Sequence, residues 1–337
     1  MADPARWLRR RGRRLLFHSL RLLARAGGFA RAAALGRLAG ELEYRLAWRR
    51  RRRCLHDMAL ALGREPGDPW VAARLRRAHH VNGRAVLEIL SLLDRRQDER
   101  ALAPACEVEG LEHLHGALAG GRGAILLGAH MGNAVLLALR LAAAGLPVSV
   151  VYRQARMMTA GFFGRGFSLY GVDGILANEG IRAYGRMLAA VRKGRVVLVT
   201  IDQGVKRPTD GVVVRFLGKD MAMAAGPAQL ARHARAPVLP IAALGADGPW
   251  RFRIEPPLAP ATGTRPPLET EVERLARVSE RQILAHPELW SWHHRRWHKL
   301  GFPPCDNARR QRAGAEPCRP SSVTSPSSSC SSSTKAP

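Results

Sequence analysis

The stretch Gly123-Ala-Ile-Leu-Leu-Gly-Ala-His-Met-Gly-Asn133 decides the fold that we predict for this chain. Its uncharged aliphatic run, ended by small residues, predicts a buried β-strand over 124–127. Gly132 and Asn133, a residue that caps helices well, then predict a turn into a helix. A strand that leads directly into a helix is the repeating unit of α/β proteins, in which helices cover a mostly parallel sheet.

The same alternation of strand and helix continues toward the C-terminus. Aliphatic and β-branched runs predict strands at 147–152, 196–201, 212–217, 238–244 and 250–254, and helical patterns predict helices at 134–144, 182–192, 227–234 and 269–285. We therefore predict an α/β fold with a mixed, mostly parallel sheet flanked by helices. The segments 196–201 and 212–217 are the candidates for an antiparallel pair, because only a polar loop separates them.

Residues 1–53 differ from the rest of the chain, because they hold sixteen arginines, no lysine and only three acidic residues. Leu35, Leu38, Leu42 and Leu46 share one helical stripe within this segment. We predict a basic amphipathic helical arm that associates with a membrane. Two placements stay open: the arm lies in the headgroup layer of an anionic membrane, or it packs on the main domain as a helical hairpin.

An α/β domain over 54–304 and a serine-rich, disordered tail over 305–337 complete the predicted organisation. The net charge of +27 indicates a polyanionic neighbour, which is either a phospholipid surface or a nucleic acid. No RNA-binding or DNA-binding motif accompanies this charge, so we predict an anionic phospholipid membrane and no nucleic acid as partner. Five cysteines without a Cys-x-x-Cys pair indicate a reducing compartment rather than a disulfide scaffold.

Polar residues follow three of the predicted strands at their carboxyl ends. His130 follows the first strand, Arg153 the second, and Asp202 with Gln203 the third. Taken singly, each residue has an ordinary structural interpretation, such as a loop histidine or a turn-forming aspartate. Together they predict one site, because open α/β sheets bind ligands at the carboxyl ends of their strands. An imidazole in that place can take a proton from a hydroxyl group.

Several short motifs occur in an order and spacing that resemble a known family. They are 128–133, 151–153, 202–203, 214–218, 226–228, 236–238 and 287–297. Over roughly residues 45–300 the chain resembles the late lipid A acyltransferases, the lauroyl/myristoyl transferases of bacterial inner membranes, which are akin to lysophospholipid acyltransferases. The resemblance implies a glycerolipid acyltransferase-like fold, a peripheral location on the cytoplasmic face of the bacterial inner membrane, and no cofactor.

The resemblance also implies an activity: transfer of a fatty acyl chain from acyl carrier protein or acyl-CoA to a hydroxyl of a lipid A precursor, glycolipid or lysophospholipid. In this family His130 matches the catalytic histidine and Asp202 an aspartate implicated in activity. The candidates for substrate binding are Asn133, Arg153, Arg165, Arg182 and Gln203. The terminal signature is Trp290, Trp292, His294, Arg295, Arg296 and Trp297, which lies at the headgroup level of the membrane or closes the core.

One position departs from the family pattern. The family places a glutamate or aspartate five residues after the histidine, and this chain has Val135 there. Three interpretations follow: another carboxylate, with Asp202 the best placed, orients His130; or His130 acts unaided with Arg153 and helix-terminal donors; or the chemistry is lost. The last of these predicts a catalytically impaired lipid-binding homologue.

The remaining histidines do not predict a metal site. They include His79, His80, His293, His294 and His298. Neither a cysteine nor a carboxylate completes a set at ligand spacing along the sequence, so we expect no bound metal.

Overall fold

A computed structural model describes residues 4–154, 158–205, 208–259, 267–294 and 296. The helices of these residues are α1 (Pro4–Leu46), α2 (Trp48–Ala61), α3 (Pro69–Asp94), α4 (Glu99–Leu102), α5 (Leu111–Leu118), α6 (Ala134–Ala143), α7 (Phe162–Ser168), α8 (Ile181–Arg192), α9 (Gly226–Ala234) and α10 (Leu268–Ala285). The strands are β1 (Cys106–Glu109), β2 (Ala124–Gly128), β3 (Val148–Tyr152), β4 (Asp173–Leu176), β5 (Val196–Thr200), β6 (Val212–Phe216), β7 (Lys219–Met223), β8 (Val238–Gly245) and β9 (Trp250–Ile254).

Seven strands form one sheet in the order β1-β9-β8-β2-β5-β3-β4. Every neighbouring pair is parallel except β8 and β9, which are antiparallel. The predicted mixed, mostly parallel sheet flanked by helices is therefore confirmed. Strand β2 lies in the middle of this sheet, between β5 and β8, and all five of its residues are buried. Burial of both faces of a strand is typical of a sheet that helices cover on both sides.

The predicted antiparallel pairing of 196–201 with 212–217 is wrong. Strand β6 pairs instead with β7 in a separate two-stranded hairpin. Leu217 and Gly218 connect the two strands, and both have positive φ, at 51° and 77°. Two consecutive residues in the left-handed region form the tight turn that closes antiparallel hairpins. The polar loop before β6 therefore leads to a new hairpin and does not return the chain to β5.

Helix α1 packs against α3 through small residues. Ala32, Gly36 and Gly40 are buried and recur every four residues along α1. A Cβ atom on Gly40 would lie 2.2 Å from the carbonyl oxygen of His79, and one on Gly83 would lie 2.1 Å from that of Gly36. The two helix backbones are thus in direct contact, which only glycine at the crossing allows.

Three of the four leucines of the predicted stripe of α1 face away from this packing, whereas Leu35 is partly buried and packs against the core. The side chains of Leu38, Leu42 and Leu46 are 57%, 50% and 76% exposed. The arm therefore packs on the main domain, as one of the two placements requires, and still presents an apolar stripe to the outside. The predicted boundary after residue 53 falls inside α2, and the predicted tail at 305–337 lies outside the described residues.

In the part of the chain that the structure describes, no helix combines the length and the apolar character that crossing a bilayer requires.

Candidate active site

Two adjacent parallel strands bring His130 and Asp202 together. Strands β2 and β5 pair in register, with Gly128 opposite Thr200 at their carboxyl ends. His130 and Asp202 each follow two residues later. The predicted meeting of these residues at one edge of the sheet is therefore observed, and it is a direct consequence of the strand order.

The His130 imidazole is bonded to the Asp202 carboxylate. The distance from His130 Nδ1 to Asp202 Oδ1 is 2.7 Å, and the backbone N–H of His130 donates to Asp202 Oδ2 over 3.1 Å. An ionised carboxylate only accepts hydrogen bonds, so we assign the ring proton to Nδ1. This assignment leaves a lone pair on Nε2. The His130 side chain is 34% exposed and Asp202 is wholly buried, so the imidazole lies between the buried acid and the outside.

Two residues that follow α10 hold the other oxygen of the Asp202 carboxylate; we call the described residues 286–294 and 296 the C-terminal segment. Trp290 Nε1 donates to Oδ2 over 2.7 Å, and Arg296 Nη2 donates to the same oxygen over 2.9 Å. Burial raises the pKa of Asp202, but its electrostatic interactions with His130 and Arg296 and the donated hydrogen bonds outweigh this effect and hold that pKa well below its usual range. Asp202 is therefore ionised at neutral pH, as an acid that orients an imidazolium must be.

Trp290 and Trp292 of the terminal signature close the core and do not lie at the surface. Trp290 is 0% and Trp292 is 2% exposed, and their rings make an edge-to-face contact at 4.7 Å. Trp292 Nε1 donates to the backbone oxygen of Pro287 over 2.7 Å. The backbone N–H of Ser291 donates to the carbonyl oxygen of His130 over 3.0 Å. The interpretation that places these tryptophans at the headgroup level is wrong, because no described face of their rings reaches solvent.

Gln203 and His294 lie next to the outward side of the His130 ring. The Nε2 atoms of Gln203 and His130 are 3.0 Å apart, which allows the amide to donate to the free lone pair of the imidazole. The ring centroid of His294 is 5.5 Å from that of His130. An acceptor hydroxyl that approaches Nε2 of His130 must therefore displace the Gln203 amide from this nitrogen. The displaced amide then lies beside the hydroxyl.

Asn133 has a structural place behind the histidine loop. It is wholly buried, and its Oδ1 accepts a hydrogen bond from the N–H of Leu136, which caps α6. Its Nδ2 donates to the buried carboxylate of Glu88 over 2.9 Å, and Arg84 and Trp250 donate to the same carboxylate. Because its side chain does not reach solvent, Asn133 positions the loop, and the structure does not support the prediction that it binds substrate.

The other predicted residues lie at varying places around the sheet. Arg153 is exposed at the end of β3, one strand further along the same edge from β5. Arg165 is exposed on α7, where it lines a cavity of about 700 Å³. Arg182 is exposed on α8. Arg295 and Trp297 lie outside the described residues.

The position that departs from the family pattern has no polar role. Val135 is half-buried and packs against the hydrophobic core, while Asp202 bonds to the ring of His130. The structure therefore has the arrangement of the first of the three interpretations, in which Asp202 orients His130. Sequence reasoning identified Asp202 by its place after β5, but it missed the Glu88 carboxylate, whose helical position gives no sign of its contacts.

Comparisons with known proteins match most of the chain. The profile of a family described as "Bacterial lipid A biosynthesis acyltransferase" matches residues 7–299. Two curated relatives are the phosphatidylinositol mannoside acyltransferases of Mycobacterium tuberculosis strains CDC 1551 and H37Rv. They are 28% and 29% identical to this chain over 257 residues, which cover 72% of this chain and 75% of each relative. The chain belongs to the bacterial lipid A biosynthesis acyltransferase family.

Proposed function

We propose that this protein transfers a fatty acyl chain from a thioester, acyl-CoA or acyl carrier protein, to a hydroxyl of a membrane glycolipid or lysophospholipid. The observation that carries this proposal is the bond from the Asp202 carboxylate to His130 Nδ1, with Nε2 on the outward side of the ring. Membership of an acyltransferase family agrees with it. The lipid A precursors of the family and the phosphatidylinositol mannosides of the relatives are the candidate glycolipids.

The reaction needs one base and one proton donor, and a single imidazole supplies both. The acceptor hydroxyl gives its proton to His130 Nε2 while its oxygen bonds to the carbonyl carbon of the thioester. The tetrahedral intermediate then collapses, the carbon–sulfur bond breaks, and the proton on Nε2 passes to the leaving thiolate. The products are an ester and a free thiol, and His130 is neutral again.

Asp202 has two roles in this reaction. It keeps the proton on Nδ1, so that Nε2 is the basic nitrogen, and it stabilises the imidazolium that forms when Nε2 is protonated. Three donors hold its Oδ2 in place, so the carboxylate does not have to reorganise as charge develops. The Gln203 amide lies beside the reacting nitrogen, and its N–H group is our candidate to bind the oxyanion of the intermediate.

We further propose that the protein works on an anionic membrane surface, as a peripheral protein of the bacterial inner membrane. Helix α1 carries exposed Leu38, Leu42 and Leu46 among many arginines, and the side chains of Trp7 and Trp48 are also more than half exposed. Arginine-flanked apolar stripes bind at the boundary between headgroups and acyl chains, where each cation contributes about 1 kcal/mol. This placement would bring the acceptor lipid to the protein without a spanning helix.

The test is acyl transfer by the purified full chain, followed by mass spectrometry of the lipid products. Acyl-CoA and acyl carrier protein are offered as donors, and a lipid A precursor, a phosphatidylinositol mannoside and a lysophospholipid as acceptors. We expect His130→Ala to lose product formation and His115→Ala, which changes an exposed histidine of α5, to keep it. Equal product from His130→Ala and the parent protein would overturn the role given to His130.

A lipid-binding protein without catalysis is the second candidate, and Val135 is the observation that favours it. That candidate predicts an inert parent protein in every donor and acceptor pair, with lipid binding retained. It also predicts that Val135→Glu creates activity. A parent protein that turns over with any of the pairs excludes it.

A further inference from the structure

Three side chains with metal-ligating atoms meet away from the His130 site. They are Glu43 near the end of α1, His79 in α3 and His293 in the C-terminal segment, and one ligand atom from each lies within 4.8 Å of the other two. Glu43 Oε2 is 3.5 Å from His79 Nδ1 and 3.1 Å from His293 Nε2. We propose that these three atoms bind a divalent metal ion of the Zn²⁺ type, which fastens α1 and α3 to the C-terminal segment.

The two separations from Glu43 Oε2 match the geometry of a tetrahedral site, and the two histidine nitrogens lie within 4.8 Å of each other. Zinc lies about 2.0–2.1 Å from histidine nitrogen and carboxylate oxygen, so two ligands at the tetrahedral angle are roughly 3.3 Å apart. The two distances from Glu43 Oε2 lie on either side of that value. An ion can therefore enter with shifts of a few tenths of an ångström at these atoms, and a water molecule would complete the fourth position.

The hydrogen bonding of the histidines indicates a missing partner. His79 is 0% exposed, yet neither of its ring nitrogens makes a hydrogen bond with any described residue. The Nδ1 atom of His293 is likewise buried without one. Buried polar atoms are nearly always bonded, and an unsatisfied one calls for a group such as a water or an ion. A metal at this place would satisfy His79 Nδ1, which points toward the Glu43 carboxylate.

Two arginines orient the ligand residues, although their positive charge opposes that of the ion. Arg50 pairs with the other oxygen of Glu43, Oε1, and so orients the carboxylate with Oε2 toward the histidines. Arg53 donates to the backbone oxygen of His293 over 3.0 Å and fixes that residue.

The donor set selects the class of metal. Two imidazole nitrogens and one carboxylate oxygen suit Zn²⁺ and similar first-row ions, whereas Ca²⁺ and Mg²⁺ prefer sites made of oxygens. The sequence did not predict this site, because each ligand comes from a different distant segment and Glu43 lies within the basic arm. The ion would act at a distance from the chemistry, by holding the segment that also carries Trp290 and Arg296, the two residues bonded to Asp202.

The experiment measures metal binding directly on the full chain after treatment with a chelator. Zn²⁺ affinity is measured by competition with a chromophoric chelator, and Co²⁺ is used as a probe because its visible absorption reports tetrahedral coordination. We expect one equivalent of Zn²⁺ per chain and a melting temperature several degrees higher with Zn²⁺ than without it. We expect Glu43→Gln and His293→Gln to weaken Zn²⁺ binding at least about 100-fold each, the upper end of the loss that even a supporting residue causes.

His80→Gln is the matched control, because His80 is the neighbour of His79 on α3 but bonds to Glu41 instead. It should bind Zn²⁺ as the parent protein does. Zn²⁺ affinity that is unchanged in Glu43→Gln and His293→Gln overturns the site. If these variants do not fold, the Co²⁺ measurement on the parent protein is the test. Absence of the tetrahedral Co²⁺ spectrum at tenfold molar excess of Co²⁺ also overturns the proposed site.

Discussion

The acid that supports His130 comes from a neighbouring strand and not from its own helix. The family pattern places it at position 135, one turn into α6, and this chain has valine there. Asp202, which follows β5, bonds to Nδ1 of the His130 ring instead. A catalytic pair is defined by the geometry of its atoms rather than by their spacing in sequence. The departure at Val135 is therefore compatible with a complete pair.

Restoring the family residue tests this interpretation. We expect Val135→Glu to change kcat by less than about tenfold, equivalent to 1.4 kcal/mol of activation free energy, because His130 Nδ1 already has its carboxylate. The measurement is the initial rate of ester formation with saturating donor and acceptor. A gain of several orders of magnitude would mean that Asp202 does not serve the ring in solution.

The buried Asp202 carboxylate also predicts how stability depends on pH. Its pKa in the folded protein lies well below the ordinary value of 3.8. The unfolded chain therefore takes up a proton near that ordinary value while the folded chain does not. The stabilisation by this group is fully present above the ordinary pKa and is lost as pH falls through the folded pKa.

We expect Asp202→Asn to lower the free energy of unfolding by about 3–5 kcal/mol at neutral pH, because it leaves Arg296 buried without its charge partner. The difference from the parent protein should be constant from about pH 5 to 8 and shrink only in stronger acid. Urea unfolding at a series of pH values measures it. A difference that grows as pH falls would contradict the ionised state assigned to Asp202.

At the scale of elements, the crossing of α1 and α3 depends on glycine. A Cβ on Gly83 would lie 2.1 Å from the carbonyl oxygen of Gly36, so an alanine there has to push two helix backbones apart. We expect Gly83→Ala to destabilise the protein by about 1–3 kcal/mol, the usual cost of overpacking. Thermal unfolding measures this change.

Gly185 on α8 is the matched control for this prediction. A Cβ there would contact nothing within 4 Å, and the residue is exposed in a helix interior. Gly185→Ala should therefore stabilise the protein by about 0.5–1 kcal/mol, since alanine favours helix. Equal effects of the two substitutions would mean that α1 does not lie directly on α3.

The elements that sequence analysis predicted well are those with long, regular patterns. The helix predicted at 269–285 is α10 (Leu268–Ala285), and the strand predicted at 250–254 has the observed bounds of β9. Strands β1, β4 and β7 were not predicted, because charged residues or glycine interrupt their short apolar runs. Runs of this composition resemble loops in sequence, and their strand character comes from pairing with a neighbour.

The site residues that lie at strand ends could be predicted from the sequence. Those that come from distant segments of the chain could not. His130, Asp202 and Gln203 follow from the alternation of strands and helices. The burial of Trp290 could not be predicted, because a tryptophan near arginines is compatible with both a membrane surface and a protein core. The Glu43, His79 and His293 cluster depends wholly on how α1 lies across α3, which the sequence does not reveal.

At the scale of the whole molecule, the basic charge and the exposed leucines predict where the protein works. We expect the triple variant Leu38→Ser, Leu42→Ser and Leu46→Ser to lose most binding to vesicles of anionic phospholipid, because these side chains form the apolar stripe of α1. Its thermal stability should change little, since each of the three leucines is at least half exposed. Co-sedimentation with vesicles measures the binding.

Two comparisons sharpen the membrane prediction. Binding by the parent protein should weaken with added salt, because the arginine charges are screened. Val213→Ser, which changes an exposed apolar residue of the β6–β7 hairpin, serves as the control and should bind vesicles as the parent protein does. Undiminished vesicle binding by the leucine variant would show that α1 is not the membrane surface.

The most direct measurement of the central claim is kcat for acyl transfer by Asp202→Asn, at a temperature where the variant is shown to be folded. An asparagine keeps the size of the side chain but carries no charge to balance the imidazolium. The three donors at Oδ2 favour the amide oxygen there, which turns the NH2 group toward His130 Nδ1 and favours the wrong tautomer. We predict a loss of about 10⁴ in kcat, as for other histidines that lose their acid, and a smaller loss for Trp290→Phe, which removes one donor to that acid. Folded Asp202→Asn with kcat within tenfold of the parent protein would contradict the claim that His130 and Asp202 act as a pair.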